Sequence, residues 1–313
     1  MGSVGSHVAR TLWLALVMAL WSGCCLPASI VEAPSGEVTR KGKLEVVVDS
    51  AGEPRSAWVK VPDGMDLSKK NPVIMVFHGG GANDGKTMVP YFSEHKNSDF
   101  ILVFPNGQRQ DESVGGWRVQ TVTDMRHVDF IEALRTRLIT DYNADAGRIY
   151  AAGFSGGAHL VHQLYCEKSK HYAGFVAMNH YLKAEHQGTC KPDPVVPYML
   201  VAGTADDGAR WDGEMNPETG KRHELGAEET MRWWRQTGGC GDVTPKKRPD
   251  KGDKTTVLHY RYEDCKRVSA MEFMKIKGGG HSMPGRRGKG PTQCRDIEMA
   301  DEIIAFFRRT GGL

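Results

Sequence analysis

The chain has 313 residues, 40% of them hydrophobic, which is enough to bury the core of one sizeable α/β domain. Its 41 basic and 38 acidic residues give a formal net charge of +3, without the basic excess of nucleic-acid-binding proteins. Basic clusters at residues 245–251 and 284–290 are rich in turn-forming residues and lack interleaved aromatic side chains, so we expect exposed loops there. We predict a single domain with no nucleic-acid partner.

The N-terminal residues predict an export signal. Arg10 precedes an apolar run at residues 12–21, which is short for a membrane span but suits the hydrophobic region of a signal peptide. We predict a signal peptide over residues 1–28 and a mature domain over residues 29–313. A lipoprotein signal that ends before Cys24, and so places a lipid anchor there, is the alternative. Both predict a secreted or cell-envelope protein without a transmembrane span in the mature chain.

Five of the seven cysteines remain in the mature chain under either alternative: Cys166, Cys190, Cys240, Cys265 and Cys294. An oxidising compartment favours disulfides among them, but the sequence alone does not determine their pairing. Unpaired buried thiols stay open as an alternative, for Cys294 in particular. None of the five has the C-x-x-C spacing, which disfavours a zinc site.

The apolar pattern predicts strands and helices in alternation along the chain. Strands are predicted at residues 44–48, 57–61, 73–77, 100–104, 148–152, 174–178, 198–202 and 271–276. Helices are predicted from the spacing of Val128, Ile131, Leu134 and Leu138, then after the fifth strand through Cys166, and at residues 227–236 and 297–308. This order predicts a mostly parallel central sheet flanked by helices on both faces, with functional groups at the carboxyl ends of the strands.

Ser155 is the centre of a G-x-S-x-G motif that lies between a predicted strand and a predicted helix. A strand that turns sharply into a helix presents the serine hydroxyl on a strained elbow, where Gly153 and Gly157 leave room for the crowded backbone. A motif of this kind also occurs by chance. Its position between strand and helix favours a nucleophilic serine.

Three further candidate groups follow the ends of predicted strands. His78 opens a glycine-rich turn whose backbone N–H groups suit an oxyanion, Asp206 and Asp207 offer a carboxylate, and His281 follows three glycines. Each alone has a structural interpretation as a tight turn, a loop cap or a loop histidine. Their joint occurrence in the order serine, aspartate, histidine favours a hydrolase triad.

Other residues are interpreted as structural. His159 and His162 are three apart on the predicted helix and would share one face, as metal ligands do. No nearby carboxylate or cysteine in the sequence completes a ligand set, so we expect no metal site. Trp233 and Trp234 are expected to pack within the helix at residues 227–236, with a substrate platform as the less favoured alternative.

Together the motifs resemble the secreted polyhydroxybutyrate depolymerase and feruloyl esterase family of α/β-hydrolases. The resemblance covers the chain from about Val73 to Phe307. It is carried by His78-Gly-Gly-Gly, Phe104-Pro-Asn-Gly-Gln, Gly116-Trp-Arg, Gly153-Phe-Ser-Gly-Gly, Gly203-Thr-Ala-Asp and Gly278-Gly-Gly-His-Ser-Met-Pro-Gly. The chain differs from the family pattern at Met283, where tryptophan is frequent, and at Gly156, where asparagine is common.

The resemblance implies the α/β-hydrolase fold and a role for each motif residue. It implies Ser155 as nucleophile, Asp206 as the acid and His281 as the base. It also implies an oxyanion hole at Gly79, Gly80 and Gly156, and disulfides that join Cys166 to Cys190 and Cys240 to Cys265.

We therefore expect an exported serine esterase that works through an acyl-enzyme and uses no cofactor. Its expected substrates are hydroxycinnamoyl (feruloyl) esters or short-chain hydroxyalkanoate polyesters. The sequence contains no low-complexity linker to a polymer-binding module, which favours soluble or plant-wall esters. A secreted peptidase of the prolyl oligopeptidase type, an acyltransferase and a binding protein on a hydrolase scaffold are the alternatives.

Overall fold

A computed structural model describes residues 42–313 except 82–83, 96–97, 109–115, 118–120 and 289, with side chains from residue 45 onward. The predicted signal peptide, its cleavage site and Cys24 lie outside these residues. The described residues belong to one compact unit, Arg40–Leu313. None of the helices in this part of the chain combines the length and the apolar character needed to cross a bilayer.

The described chain contains twelve strands and five α-helices. The strands are β1 (Gly42–Ser50), β2 (Glu53–Val61), β3 (Asn71–Phe77), β4 (Ile101–Pro105), β5 (Ala144–Phe154), β6 (Gly174–Met178), β7 (Tyr198–Gly203), β8 (Glu214–Met215), β9 (Arg222–Glu224), β10 (Lys246–Lys247), β11 (Thr256–Tyr262) and β12 (Met271–Lys277). The helices are α1 (Arg126–Asp141), α2 (Gly156–Lys168), α3 (His186–Thr189), α4 (Ala227–Gly238) and α5 (Met299–Gly311). Two 3₁₀ segments, Gly85–His95 and Ser169–His171, add to them.

Ten of these strands form one twisted sheet in the order β1-β2-β4-β3-β5-β6-β7-β12-β11-β10. The six strands from β4 to β12 in this order run parallel to one another. The strands at the two ends, β1 and β2 on one side and β11 and β10 on the other, pair in antiparallel fashion. The predicted mostly parallel sheet and the early antiparallel pair are confirmed. The short hairpin of β8 and β9 lies outside the large sheet.

Successive residues of the central strands face opposite layers of core. Val73, Met75 and Phe77 of β3 belong to one apolar cluster, which α1, α2 and α4 cover, whereas Ile74 and Val76 belong to the other, which α5 covers. All residues of β3 are buried. Burial on both faces explains the continuous apolar runs in the sequence and confirms helices on both sides of the sheet.

The cysteines form the two pairs that the family resemblance implies. Cys166 at the end of α2 bonds Cys190, and Cys240 after α4 bonds Cys265. Each bond closes a loop of about 25 residues, a length for which cross-linking stabilises a fold by roughly 3 kcal/mol. Cys294 is unpaired and buried, and burial raises the pKa of its thiol.

The tryptophans of α4 pack as predicted. Trp234 is completely buried and stacks on Tyr165 of α2 with ring centroids 4.2 Å apart. Trp233 is partly buried against the same cluster. Neither indole is an exposed platform, so the packing interpretation is confirmed.

Candidate active site

Ser155 lies on a strained turn between β5 and α2. Its φ of 54° and ψ of −121° fall in a region that non-glycine residues rarely adopt. A Cβ atom on Gly153 would lie 2.2 Å from the carbonyl oxygen of Gly157, and one on Gly157 would lie 2.5 Å from that of Phe77. Both glycines are therefore required by the close backbone approach that the sequence motif predicts.

The structure brings together Ser155, His281 and Asp206 from the ends of three strands. The Oγ of Ser155 lies 2.9 Å from Nε2 of His281. On the other side of the ring, Nδ1 lies 2.8 and 3.0 Å from the two carboxylate oxygens of Asp206. Because a carboxylate only accepts, His281 donates from Nδ1 and presents the lone pair of Nε2 to the serine hydroxyl.

Asp206 differs from Asp207 in burial and in hydrogen bonding. The Asp206 side chain is fully buried, and its Oδ1 accepts hydrogen bonds of 2.8 Å from the N–H groups of Gly208 and Ala209. Asp207 faces solvent. The carboxylate that contacts His281 is therefore that of Asp206, the residue that the resemblance indicates.

Two residues that the sequence analysis missed position His281. A Cβ atom on Gly208 would lie 2.7 Å from Cγ of His281, so only glycine lets the backbone lie against the imidazole. The side-chain amide of Asn179, directly after β6, donates a 3.0 Å hydrogen bond to the carbonyl oxygen of Gly280. Asn179 directly follows a strand of the parallel sheet, and this position in the sequence could have marked it as a candidate site residue.

Of the three glycines predicted for the oxyanion hole, Gly79 and Gly156 adjoin Ser155, and Gly80 adjoins Gly156. A Cβ atom on Gly79 would be 3.3 Å from Cβ of Ser155, and one on Gly156 would be 3.4 Å from the backbone nitrogen of Gly80. Gly156 begins α2, and the first N–H groups of a helix have no acceptor within it. This side of Ser155 is therefore built from closely packed backbone.

His78 links the glycine-rich turn to a neighbouring loop. Its Nδ1 donates to the carbonyl oxygen of Gly79 at 2.6 Å, and its Nε2 accepts from the N–H of Gly107 at 2.9 Å. The ring is completely buried, and burial lowers its pKa, so His78 is neutral at pH 7. The sequence predicts only that His78 opens the turn, whereas in the structure its ring also restrains the Gly79 carbonyl.

A second group of titratable side chains lies beside His281. Glu224 of β9 is hydrogen-bonded to His159 Nε2 at 3.1 Å and to His180 Nδ1 at 3.0 Å, and accepts from the N–H of Tyr181 at 2.6 Å. The ring of His180 meets that of His281 edge-on, with centroids 6.0 Å apart. Sequence reasoning missed Glu224 because 44 residues separate it from His180.

The same group is a candidate cation site by donor type. His159, His180 and Glu224 offer ligand atoms that all lie within 4.8 Å of one another, as do Asp253, Cys294 and Asp296 elsewhere. Glu224 is the carboxylate that the sequence analysis did not find near His159. The other histidine of the predicted pair is His162, and its Nε2 instead lies 3.4 Å from the carbonyl oxygen of His180. Direct hydrogen bonds already satisfy the Glu224 carboxylate.

In this group Glu224 carries a negative charge and His159 is neutral. Burial raises the pKa of Glu224, but the charges and hydrogen bonds of His159 and His180 outweigh it and hold that pKa well below its usual range. Burial lowers the pKa of His159 to about 4. At neutral pH, Glu224 is therefore an anion and His159 a neutral donor.

No protein-family model matches the chain. In sequence, the chain is 26% identical to feruloyl esterase B of Piromyces equi over 235 residues, which are 73% of this chain and 42% of that protein. It is also 26% identical to feruloyl esterase C of Emericella nidulans over 166 residues, 51% of this chain and 57% of that protein. The chain spans about half the length of these curated relatives.

The structure is similar to that of an acetyl xylan esterase from Aspergillus awamori. The TM-score is 0.59 at 14% sequence identity, and the match covers 85% of this chain and 99% of the other. The chain has the α/β-hydrolase fold. The chain is also similar in sequence to feruloyl esterases, while the polyhydroxybutyrate depolymerase part of the resemblance stays a prediction.

Proposed function

We propose that this α/β-hydrolase is an exported serine esterase that hydrolyses carboxylic esters. The observation that carries the proposal is the continuous hydrogen-bond chain from Ser155 Oγ to His281 Nε2 at 2.9 Å, and from His281 Nδ1 to Asp206 at 2.8 Å. The similarity to proteins named as feruloyl esterases supports ester hydrolysis over the peptidase and acyltransferase alternatives.

The first step forms an acyl-enzyme. As Ser155 Oγ attacks the ester carbonyl carbon, its proton passes to Nε2 of His281, and buried Asp206 stabilises the imidazolium through Nδ1. The tetrahedral intermediate collapses when the same proton passes to the alcohol oxygen. The alcohol leaves, and the acyl group stays on Ser155.

Backbone donors stabilise the charge that develops on the carbonyl oxygen. We assign this role to the N–H groups of Gly79 or Gly80 and of Gly156, because the turn at Gly79 and Gly80 packs against Ser155 and the start of α2. His78 supports them because its hydrogen bonds to Gly79 and Gly107 restrain the turn. Loss of one oxyanion donor typically costs about 3 kcal/mol of transition-state stabilisation, or about a hundredfold in rate.

The second step returns the free enzyme. A water molecule attacks the acyl-enzyme while Nε2 of His281 takes its proton, and the acid is released when Ser155 regains a proton from the same nitrogen. All proton transfers therefore pass through one ring, whose orientation depends on Asp206. No step requires a cofactor.

The substrate and the location are parts of the same proposal. We propose hydroxycinnamoyl or acetyl esters of plant-wall carbohydrate as the substrate class, since the relatives and the structural neighbour carry feruloyl and acetyl xylan esterase names.

Export is supported by the apolar N-terminal run and by the two disulfides. The mass of the mature N-terminus would distinguish cleavage after Ala28 from lipidation of Cys24.

A substrate panel on one purified sample tests the activity. Methyl ferulate and nitrophenyl acetate should be hydrolysed, while peptidyl nitroanilides and polyhydroxybutyrate films should not, with Ser155→Ala as the blank. When an alcohol is added to compete with water for the acyl group, free acid should remain the main product. Cleavage of a peptide without ester hydrolysis would contradict the proposal, and so would dominant transfer to the alcohol.

A further inference from the structure

We infer that His180 determines specificity by accepting a hydrogen bond from a hydroxyl group of the substrate's alcohol. The inference rests on the proposed ester hydrolysis and adds a residue outside the Ser155, His281 and Asp206 chain. Its basis is a second histidine–carboxylate pair, His180 and Glu224, whose ring adjoins that of His281.

Glu224 anchors this second pair. The Glu224 side chain is only 3% exposed, yet it is an anion. Its carboxylate accepts hydrogen bonds from the backbone N–H of Tyr181 and from ring nitrogens of His159 and His180. Backbone hydrogen bonds on both sides of Glu224 join it to the segment after β6: the N–H of Leu225 donates to the Leu182 carbonyl, and the N–H of Ala184 donates to the His223 carbonyl. The anchor is thus part of a rigid wall rather than of a loose surface loop.

The anchor determines which nitrogen of His180 donates to it. Because an ionised carboxylate only accepts, Nδ1 of His180 is the donor to Glu224, and Nε2 is the nitrogen left to accept a hydrogen bond. Within the described part of the chain, Nε2 makes no hydrogen bond, and the side chain keeps 16% of its surface exposed. The ring of His159 packs against it at a tilt of 41°, with centroids 4.1 Å apart, and restrains its rotation.

The position of the ring indicates which part of the substrate it meets. His281 gives its proton to the departing alcohol oxygen, so the alcohol must lie next to the His281 ring. His180 adjoins that ring edge-on at 6.0 Å and therefore borders the alcohol rather than a distant part of the acyl group. A hydroxyl on the carbon next to the esterified carbon is then within reach of Nε2.

This geometry favours esters whose alcohol carries a neighbouring free hydroxyl. Such a hydroxyl donates to Nε2, and the buried Glu224 anion strengthens the acceptor from the other side of the ring. An alkyl alcohol of the same size would displace water from Nε2 without offering it a partner. A site built to bond a hydroxyl rejects an analogue without one.

The test is a competition between 2-hydroxyethyl acetate and propyl acetate, which differ by a hydroxyl in place of a methyl group. In one reaction mixture, followed by NMR, the relative rates give the ratio of the two kcat/KM values. We expect the intact enzyme to prefer the hydroxyl ester by about tenfold. This ratio does not depend on how much of a variant is folded, and differences in intrinsic ester reactivity cancel when variants are compared.

Two amide variants separate substrate contact from a structural role. His180→Asn keeps a donor near the place of Nδ1 but has no acceptor at Nε2, so its ratio should fall about tenfold. His180→Gln places an amide oxygen near Nε2 and should keep most of the preference. The opposite order would show that His180 only supports Glu224 and would overturn the inference.

A matched control and a separate readout complete the design. His223→Asn changes an exposed histidine one residue from Glu224 and should leave the ratio as it is in the intact enzyme. An intact enzyme without preference for the hydroxyl ester would also overturn the inference. If the intact enzyme hydrolysed neither ester and Ser155 did not react with a fluorophosphonate, the proposed function itself would fail.

Discussion

Asp206 and Asp207 are neighbours in sequence but differ in what they can do for His281. Asp206 is buried, accepts two backbone hydrogen bonds and contacts Nδ1 of His281, whereas Asp207 faces solvent. The motif Gly203-Thr-Ala-Asp resembles the family pattern at Asp206, but spacing alone does not separate the two carboxylates. Burial, which depends on the whole fold, separates them.

The adjacent aspartates provide a matched pair of variants. Asp206→Asn should lower kcat on nitrophenyl acetate by about a thousandfold or more, because an amide that donates to Nδ1 removes the tautomer whose Nε2 accepts the serine proton. Asp207→Asn should stay within about twofold of the intact enzyme. Equal losses, or a larger loss for Asp207→Asn, would contradict the assignment of Asp206.

The site residues predicted from the sequence and the residues missed differ in the kind of signal they carry. Ser155 and His281 belong to local motifs with glycines at defined spacing, so the sequence alone suggests them. Gly208 and Glu224 matter because the fold brings a ring against a backbone and a carboxylate against His180. Contacts of that kind have no local pattern.

Among the elements, the strands of the central sheet were predictable because they are buried on both faces and consist of continuous apolar residues. Strand β11, which lies between β12 and the edge strand β10, was not, since its sequence Thr256–Tyr262 mixes partly exposed and charged positions with buried ones. The two-residue strand β10 at Lys246–Lys247 lies in a basic cluster predicted as an exposed loop, and both lysines are indeed exposed. Edge strands carry weaker patterns because they bury less surface.

A buried ion pair joins β11, β12 and α5. Glu272 of β12 is 1% exposed and bonds Nε2 of His259 at 2.6 Å and Nη2 of Arg309 at 2.8 Å. Burial raises the pKa of Glu272, but these partners outweigh it and lower the pKa below its usual value of 4.5. A carboxyl with a depressed pKa in the folded state stabilises the fold above about pH 4.5, and this contribution is lost as pH falls further.

Glu272→Gln should therefore lower the free energy of unfolding by about 3 kcal/mol at pH 7, because it removes the buried anion that bonds His259 and Arg309. The difference from the intact protein should shrink below pH 4.5, measured by urea unfolding at pH 7 and pH 4. Glu263→Gln, which removes an exposed partner of Arg261, is the control and should cost less than 1 kcal/mol at either pH. A difference for Glu272→Gln that does not change with pH would contradict the role of its charge.

At the scale of the whole molecule, buried neutral histidines make the fold sensitive to acid. Burial lowers the pKa of His127, His159 and His186 to about 4 and that of His162 to about 3. In the unfolded chain these rings bind protons near their ordinary pKa of 6.5. Protons therefore favour the unfolded chain as pH falls below 6.5.

The free energy of unfolding should fall between pH 7 and pH 4, by up to about 1.4 kcal/mol per pH unit for each such histidine. His162→Gln removes one of these groups and should make the decline shallower, measured by urea unfolding at several pH values. His223→Gln, at an exposed histidine, should leave the slope as it is. Equal slopes in His162→Gln and the intact protein would exclude this source of acid sensitivity.

The central claim is that Ser155 is the nucleophile of an ester hydrolase. The most direct measurement is mass spectrometry of the protein after reaction with a fluorophosphonate, with peptide mapping of the adduct and a parallel assay on nitrophenyl acetate. We predict one adduct per chain on Ser155, loss of hydrolysis in proportion to labelling, and neither labelling nor hydrolysis in Ser155→Ala. Labelling at another residue, or hydrolysis that persists in Ser155→Ala, would contradict the claim.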